Sequence, residues 1–587
     1  MSDIGEAASA VARTRLFVSA LRLEHLLPWG LCGLLLVLIG GPVLSVIVSS
    51  LRTGLPGQES PLTLVNYVEV FSQAETYKAI FNTFLFAVIT LAVTCVFAVP
   101  IVWLMNRTDL PLKGLFFVLM GLGILIPVFL KVMGWVLLAS PRIGLLNTWA
   151  TGLFGLEKPL FNIYTIPWMG FLQGVSFVPL AFFMLGAAYQ AMDPALEEAA
   201  YTGGVSKLNT LLRIDVPITT PALLGVIIYV TMLSISVFEV PALLGLPGRI
   251  FLLSSRIFYS VSPQAGLPNY GLAGAYGAIL LFSGLIFSYV YTRMLRKSRR
   301  YIVITGRGYR PRLLELGRWK PVALAFIVFY FVLELFLPAA ALLWSSLLPY
   351  FQAPSMEALS QVSLDHYRNI RDFAPIMPFV NTALLMLLVP TVTLLLSILV
   401  SWVVVRTQSR LRGFLDTLAF LPHATPHILL AVAMSFLALT YRDLIPIYNT
   451  IWIIVAAHIV AYIAYGTRTM NGAMIQIHRE LEEAGRISGA PTTLIIRKIV
   501  VPLIRPAIVN AWVWVMLLSH REVTMALTLR GPGNEVVATH VWQLWSNGSV
   551  TQVAALGVLL IVVMTLFISL LTLVVGWKVS GREGFSS

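Results

Sequence analysis

Long apolar runs dominate this sequence and restrict the folds that it can adopt. A helix needs about 20 apolar residues to cross the ~30 Å hydrocarbon core of a bilayer. Runs of that length occur near residues 28–50, 80–105, 115–138, 165–190, 221–244, 271–294, 321–346, 379–405, 414–438, 450–475, 503–528 and 553–577. With 58% apolar and only 11% charged residues, the chain has too few charges to cover a soluble protein of its size. We therefore predict an all-α polytopic membrane protein with about twelve transmembrane helices.

The positions of the basic residues predict how these helices are oriented. Most of the 40 Lys and Arg residues fall in the tails and in alternate connections, on one side of the predicted membrane. Cytoplasmic segments carry such an excess, so we predict a bacterial inner-membrane protein with both termini in the cytoplasm. Residues 1–27 form a tail with an amphipathic pattern that favours an interfacial helix, although a frayed tail fits equally well. Residues 578–587 form the C-terminal tail.

The two halves of the chain repeat the same residues in the same order. At a spacing of 299 residues, the matched pairs are Asn82-Thr83 and Asn381-Thr382, Arg107-Thr108 and Arg406-Thr407, and Pro127 and Pro426. At a spacing of 285 residues, they are Glu198 and Glu483, Gly204 and Gly489, Pro217 and Pro502, Pro221 and Pro506, and Pro247 and Pro532. We predict two tandem six-helix repeats, residues 28–294 and 321–577, with the same orientation in the membrane.

A basic linker joins the two predicted repeats. Residues 293–320 contain ten Lys and Arg residues and one acid, Glu315. We assign residues 295–320 to a cytoplasmic linker and expect it to attract anionic membrane lipid. A specific protein partner is the alternative.

The most specific pattern lies between the fourth and fifth predicted helices of each repeat. Residues 197–217 read EEAAYTGGVSKLNTLLRIDVP, and residues 482–502 read EEAGRISGAPTTLIIRKIVVP. Each copy predicts a short amphipathic helix that stops or bends at a glycine, followed by a return to the membrane that ends at a proline. Two such helices near a pseudo-twofold axis would form a docking surface for a two-fold partner. The alternative is that each loop packs only against its own bundle.

This pattern resembles the EAA signature of ABC importer permeases, EAA-x3-G-x9-I-x-L-P. The departures are Val216 and Val501 in place of leucine, and Gly485 in place of the second alanine. The resemblance implies that both loops are coupling helices that contact ATP-binding subunits. The residues that match the signature are Glu198, Ala199, Gly204, Pro217, Glu483, Ala484, Gly489 and Pro502. Two six-helix halves fused head to tail are similar to the ferric-iron, thiamine and phosphonate branch of the family.

The sequence contains no recognisable machinery for ATP hydrolysis. It has no Gly-Lys dipeptide and therefore no GxxxxGK[ST] P-loop. No nucleophile and base are spaced for covalent catalysis. We therefore predict a transport subunit without catalytic residues, cofactor or metal of its own, and we expect a partner subunit to bind ATP and Mg²⁺.

Ionisable side chains inside the predicted helices are costly and are therefore candidates for a translocation path. The candidates chosen among them are Lys131, Glu239, His423, His427 and Glu522. Lys131 either snorkels to an interface or lines the path. The two histidines, four residues apart, are expected on one helix face, where helix–helix hydrogen bonding is a simpler role than metal contact. Glu239 and Glu522 are equivalent by motif, and an internal ion pair, for instance with Arg521, is the alternative to a path role.

Together these features predict the permease subunit of an ABC importer that moves a small charged solute inward by ATP-driven alternating access. The expected partners are two copies of an ATP-binding subunit, membrane lipid, and a periplasmic or extracellular solute-binding protein on the outer loops 51–79 and 347–378. Nucleic acid is not expected. The resemblance favours ferric iron, with 2-aminoethylphosphonate, thiamine and a polyamine as alternatives. A gradient-driven secondary transporter also fits twelve helices in two halves, but it does not need the duplicated loop.

Overall fold

The computed structural model describes residues 26–192, 199–200, 202–210, 213–214, 216–262, 266–298 and 313–574. Within these ranges the regular secondary structure is helical, with two isolated β-bridges, so the all-α prediction is confirmed. Four predicted features lie wholly or largely outside the described residues: the tail 1–27, the linker 295–320, the tail 578–587 and Glu198.

The helices of the first half cover the predicted apolar runs and extend beyond some of them, for example to Arg107 at the end of the helix Ala74–Arg107. In chain order they are α1 (Leu26–Ser50), α2 (Val65–Ser72), α3 (Ala74–Arg107), α4 (Lys113–Leu125), α5 (Val128–Ala139), α6 (Leu145–Phe154), α7 (Ile166–Ala191), α8 (Val216–Ser236), α9 (Leu253–Val261) and α10 (Tyr270–Ser298). Short helical segments at Lys207–Thr210 and Pro241–Gly245 precede and follow α8.

The second half repeats the order of the long helices. Its helices are α11 (Gly317–Ser346), α12 (Ile376–Arg406), α13 (Arg412–Ala424), α14 (His427–Thr440), α15 (Ile451–Ile475), α16 (Glu480–Ile487), α17 (Thr492–Arg521), α18 (Val537–Ser546) and α19 (Val550–Val574). Across the described residues, 10 helices are long and apolar enough to cross a membrane, and the number rises to 12 if each of two bent pairs is one span. The chain is therefore a polytopic membrane protein, as predicted.

The third and ninth predicted helices are both broken at a proline. α4 and α5 meet at 95°, and α13 and α14 meet at 108°. Ile126 and Thr425, which precede Pro127 and Pro426, have ψ angles of 122° and 118°. A following proline disfavours helical backbone at these positions. Each bent pair is therefore a broken span or a re-entrant loop, with its break at the proline.

The repeated Asn-Thr pair has the same structural role in both halves. In α3, Thr83 Oγ1 accepts a hydrogen bond from Leu253 N at 3.0 Å. In α12, Thr382 Oγ1 accepts one from Val537 N at 2.9 Å. Each threonine thus accepts a hydrogen bond from the first residue of the short helix that follows the fifth long helix of its repeat. This shared contact explains why the Asn-Thr pair occurs in both halves.

The helices form two compact units, and neither unit contains the same segments of the chain as one sequence repeat. One unit contains residues 376–539 together with the chain up to Val68 and residues 260–281. The other contains residues 69–259, 282–375 and 540 onward. Each unit therefore combines the central helices of one repeat with the first helix of the other: α1 packs on α14, and α11 packs on α5 and α19.

The two exchanged helices are fixed by equivalent contacts. Near the end of α1, Ser50 Oγ lies 2.8 Å from Tyr67 Oη. Near the end of α11, Tyr367 Oη donates to Ser346 Oγ at 2.7 Å. Both helices also contain a π-helical turn, at Leu36–Gly40 and Val332–Phe336. The duplication thus extends to the first helix of each repeat.

Candidate functional site

The second copy of the repeated loop folds as a short helix closed by a glycine turn. α16 ends at Ile487, and Gly489 has φ +77°, in the left-handed region that glycine adopts without strain. The Ala490 amide donates to Gly485 O at 3.0 Å, which closes the turn across the end of the helix. A Cβ atom at Gly489 would meet nothing within 4 Å. The need for glycine here is therefore conformational and not steric.

The first copy makes the same turn. Gly204 also has φ +77°, and the Val205 amide donates to Ala200 O at 3.0 Å. Ala199 lies directly before this turn and is exposed, whereas Glu198 lies outside the described residues.

The two predicted prolines occupy equivalent positions after the loops. Pro217 is the second residue of the α-helix Val216–Ser236, and Pro502 is the second residue of the α-helical part Val501–Arg521 of α17. Each follows π-helical residues, which are Arg213 and Ile214 in the first half and Ile496–Val500 in the second. The prolines therefore mark the start of regular α-helix in the fifth long helix of each repeat.

Two adjacent glutamates of α16 have opposite environments. Glu482 is buried and its Oε1 lies 3.0 Å from Arg406 Nε at the end of α12, whereas Glu483 is exposed. Burial raises the pKa of Glu482, and the positive charge of Arg406 acts in the opposite direction. Arg406 also donates to Ile477 O at 2.9 Å and to Met474 O, both near the end of α15. One buried guanidinium thus joins α12, α15 and α16.

The equivalent arginine of the first half makes the same backbone contact. Arg107, at the end of α3, donates to Tyr189 O at 3.1 Å. Tyr189 corresponds to Met474 at the spacing of 285 residues. Glu197, which corresponds to Glu482, lies outside the described residues.

The outer face of α16 combines a carboxylate with exposed apolar side chains. Glu483 and Ala484 are exposed, and the exposed fractions of Leu481 and Ile487 are 47% and 88%. Exposed apolar side chains beside charged ones are typical of a surface that docks another protein. Because Glu482 faces inward, Glu483 is the carboxylate that this face presents.

Glu522 and His427 are brought together in the second half. Glu522 directly follows α17, and its Oε2 lies 2.9 Å from Nδ1 of His427, the first residue of α14. Its Oε1 accepts a hydrogen bond from Met525 N at 3.0 Å. Glu522 is only 8% exposed. Its ion-pair partner is therefore His427, which sequence analysis placed on another helix.

His423 is not part of this pair. It lies in the last turn of α13, before the bend at Pro426, and its ring centre is 5.0 Å from that of Phe420. The prediction that His423 and His427 share one helix face is wrong, because the proline break separates them.

Glu239 is half-buried and begins the helical segment that follows the break after Ser236. At the spacing of 285 residues it corresponds to Thr524, and Val237 corresponds to Glu522. The prediction that Glu239 and Glu522 are equivalent is therefore wrong.

Lys131 is enclosed in an ion pair. Its Nζ contacts Glu334 Oε1 in the π-helical turn of α11 and donates to Gly123 O at 3.0 Å. The exposed fractions of the two charged side chains are 5% and 2%. The snorkelling alternative for Lys131 is therefore wrong.

Part of the second half matches a known family. Residues 393–578 match the family described as "Binding-protein-dependent transport system inner membrane component". The helices α12 to α19 and the turn at Gly489 fall within or across the matched residues.

Individual proteins resemble more of the chain. The ferric transport system permease protein FbpB of Actinobacillus pleuropneumoniae is 24% identical over 459 residues, which are 78% of this chain and 65% of that protein. The Fe(3+)-transport system permease protein FbpB 2 of Haemophilus influenzae is 22% identical over 88% of this chain and 92% of its own length. The spermidine/putrescine transport system permease protein PotC of Escherichia coli is 25% identical over 30% of this chain and 66% of its own length. The predicted resemblance to fused permeases of the ferric branch is confirmed, although the match spans just under two thirds of the Actinobacillus protein.

Sequence analysis did not identify several residues of these sites. Arg406 was recognised only as a marker of the repeat, and its buried partner Glu482 was not separated from Glu483. Glu334 was available as the sole charged residue of the run 321–346. His458, whose Nδ1 lies 2.8 Å from Ser519 Oγ beside the Glu522 break, had no repeat or spacing signal. In the part of the chain that the structure describes, no group of three or more His, Cys, Asp or Glu residues is arranged to hold a metal ion.

Proposed function

We propose that this chain is the permease subunit of a binding-protein-dependent ABC importer. The observation that carries the proposal is the duplicated turn with a left-handed glycine, at Gly204 and Gly489. These loops follow the signature by which importer permeases contact their ATP-binding subunits. The family match over residues 393–578 supports the same function.

Two copies of an ATP-binding subunit would dock on the two loops. In the second loop, Glu483 and Ala484 are exposed for this contact, and Glu198 and Ala199 are their equivalents in the first. The partner would bind ATP and Mg²⁺, and this chain would act as a transport subunit without catalytic residues. ATP binding would close the partner subunits and move both loops, and hydrolysis would reset them.

The remaining partners follow from the proposed topology. A solute-binding protein would dock on the connections 51–79 and 347–378, outside the bacterial inner membrane. Both termini would then lie in the cytoplasm, where the basic connections fall. The basic linker 295–320 would lie against anionic lipid.

The proposed solute is ferric iron. The relatives that match 78% and 88% of this chain are ferric transport permeases, whereas the polyamine transport relative matches only 30%. The proposed path residues are Glu239, His427 and Glu522. Carboxylates suit hard cations, and imidazole also binds iron in proteins. His423 stays a candidate, and Lys131 is less suited because Glu334 encloses it.

Co-purification with the ATP-binding subunit tests this function. The chain would be expressed with the ATP-binding protein encoded beside its gene, with and without the double change Glu198→Lys and Glu483→Lys. Because the reversed charges fall on the proposed docking faces, we expect the wild-type complex to form and the variant complex to be lost, together with solute-stimulated ATP hydrolysis.

A matched control separates docking from a general effect of charge. Glu59 and Glu357 are exposed residues in the proposed outer connections, and Glu59→Lys with Glu357→Lys makes the same change in net charge. This control should retain the complex. Failure of the wild-type chain to bind any ATP-binding subunit would overturn the proposal in favour of a gradient-driven carrier.

A further inference from the structure

A polar cavity lies at the end of the second-half helices, beside α16. Its volume is about 470 Å³, and its lining includes Arg406, Arg468 and Arg479 together with Asp416 and Asn471. Ile475, 69% exposed, adds an apolar edge. The volume falls in the range of cavities that hold small ligands. Three guanidinium groups facing one such space indicate an anionic ligand.

The cavity side chains are held in place by their own contacts. Arg468 Nη1 lies 3.2 Å from Asp416 Oδ1, and its guanidinium stacks over the Phe420 ring at 4.5 Å. Asn471 Nδ2 donates to the same carboxylate at 3.3 Å. Arg406 is fixed by Glu482, as described above. A ligand would therefore meet side chains that need little ordering on binding.

The charge of the cavity is not balanced by the protein alone. Asp416 faces Arg468, and Glu482 faces Arg406. Arg479 is exposed and forms no ion pair with any residue that the structure describes. One positive charge therefore remains after both carboxylates are counted, and each paired guanidinium still has more N–H donors than its carboxylate uses.

The first half has no such lining at the equivalent positions. Asp416 corresponds to Phe117 at the spacing of 299 residues, and Arg468 corresponds to Phe183 at the spacing of 285. These two phenylalanines pack edge to face with ring centres 5.3 Å apart. In the first half, α4 and α7 thus pack through an aromatic pair, whereas in the second half the equivalent α13 and α15 are joined by an ion pair that borders the cavity. Both halves keep the arginine at the Arg107 and Arg406 positions. A purely structural contact does not require this change.

We propose that this cavity binds a phosphate group. Arginine offers planar pairs of donors that match phosphate oxygens, and basic pockets between membrane helices bind the phosphates of anionic lipid head groups. The phosphate belongs to the head group of an anionic phospholipid or to a soluble phosphate compound, since both present the same oxygens. Because Arg406 also holds Glu482, the bound phosphate lies within one side chain of α16. The cavity lining includes none of the proposed path residues Glu239, His427 and Glu522 and neither of the exposed docking residues Glu483 and Ala484.

Ligand titrations of the purified full-length chain in detergent test the proposal. The probes are dioctanoyl phosphatidylglycerol, dioctanoyl phosphatidylcholine and inorganic phosphate, with native mass spectrometry and the thermal unfolding midpoint as readouts. We expect saturable binding of phosphatidylglycerol or of inorganic phosphate, or of both, and weaker binding of phosphatidylcholine. Binding of the lipid alone assigns the source to the membrane, and binding of inorganic phosphate alone assigns it to a soluble compound.

Two variants connect this binding to the cavity. Arg479→Gln changes an exposed residue, so it should leave folding intact and weaken binding roughly tenfold, the usual effect of losing one charged hydrogen bond. Asp416→Phe with Arg468→Phe copies the aromatic pair of the first half and should abolish binding. Arg442 is exposed, follows α14 and does not line the cavity. Arg442→Gln removes one positive charge there and should bind phosphate like the wild type. Absence of saturable binding, or equal binding by all variants, would overturn the proposal.

Discussion

At the residue scale, the two halves differ most at one buried pair of positions. Lys131 and Glu334 form an ion pair in one unit. Their equivalents are Leu430, at a spacing of 299 residues, and Leu38, at the spacing of 296 that relates the two π-helical turns. An unpaired charge is costly to bury, so Glu334 packed against Leu430 would be strongly disfavoured. The pair thus favours α11 over α1 as the helix that packs on α5.

Replacing this ion pair by leucines should reveal its contribution. We expect Lys131→Leu alone to lower the free energy of unfolding by about 3–5 kcal/mol, because it leaves the Glu334 carboxylate buried and uncompensated. Lys131→Leu with Glu334→Leu should restore most of the loss, since the chain already places leucines at both equivalent positions. Thermal and denaturant unfolding in detergent measures both. A double variant as unstable as the single one would contradict this account.

Glu522 should be sensitive to loss of charge alone. Glu522→Gln keeps the shape of the side chain but weakens its contact with His427, so we expect uptake of ferric iron by the assembled importer to fall roughly tenfold. Uptake of radioactive iron into cells that carry all subunits measures this change. The exposed Glu157→Gln, outside the proposed docking connections, is the matched control, and uptake equal to wild type in Glu522→Gln would remove this residue from the proposed path.

At the element scale, the two repeated loops each depend on the backbone conformation of one residue. Gly204 and Gly489 both have φ +77°, and a Cβ at either position would meet no neighbouring atom. The cost of a substitution there is therefore the intrinsic cost of the left-handed conformation, about 1–2 kcal/mol for an ordinary residue. A substitution should therefore change the angle between the short helix and the segment that returns to the membrane.

Alanine at these glycines should weaken coupling without unfolding the chain. We expect Gly204→Ala with Gly489→Ala to reduce co-purification of the ATP-binding subunit, whereas asparagine at the same positions should be milder because it tolerates the left-handed region. Gly472→Ala is the control: it lies in the helical backbone of α15, with nothing within 4 Å of an added Cβ, and should be neutral or stabilising. Equal effects of all three changes would contradict the conformational explanation.

The helices and turns could be predicted from the sequence more fully than the contacts between them. Apolar runs and the position of Gly489 were sufficient for the helix class and for the turn, because both depend on local residues. Pro127 and Pro426 were visible as breaks, but a bend of 95° or 108° depends on packing. The partner of Lys131 lies 203 residues away, and no local pattern relates them. The two environments of Glu482 and Glu483 likewise depend on where Arg406 lies.

At the scale of the whole molecule, neither half of the sequence supplies a complete compact unit. The unit built on residues 376–539 includes α1, and the unit built on residues 69–259 includes α11 and α19. In the core of the unit built on residues 69–259, Phe97 of the first repeat packs against Phe326 and Tyr330 of the second repeat. Sequence periodicity could not reveal this exchange, because α1 and α11 have similar apolar surfaces and nothing local specifies which core each one covers.

Dividing the chain in the linker tests this exchange. If the peptide is cut between Gly306 and Arg307, the two co-expressed fragments should co-purify and unfold together at a temperature close to that of the intact chain. Each fragment expressed alone should aggregate or be degraded, because the helices that complete its core are absent. Size-exclusion chromatography and thermal unfolding measure this, and a fragment that purifies alone as a folded monomer would contradict it.

The buried Arg406 has a mechanical consequence. It contacts Glu482 of α16 and the carbonyl groups at the end of α15, while its own backbone is the last turn of α12. Displacing α16 without moving α12 and α15 would separate a buried ion pair, which costs several times the thermal energy. A displacement of α16 is therefore expected to move α12 and α15 with it. The part of the chain beyond Gly489 that the structure describes has no such ion pair with Arg406 and is free to change its angle to α16.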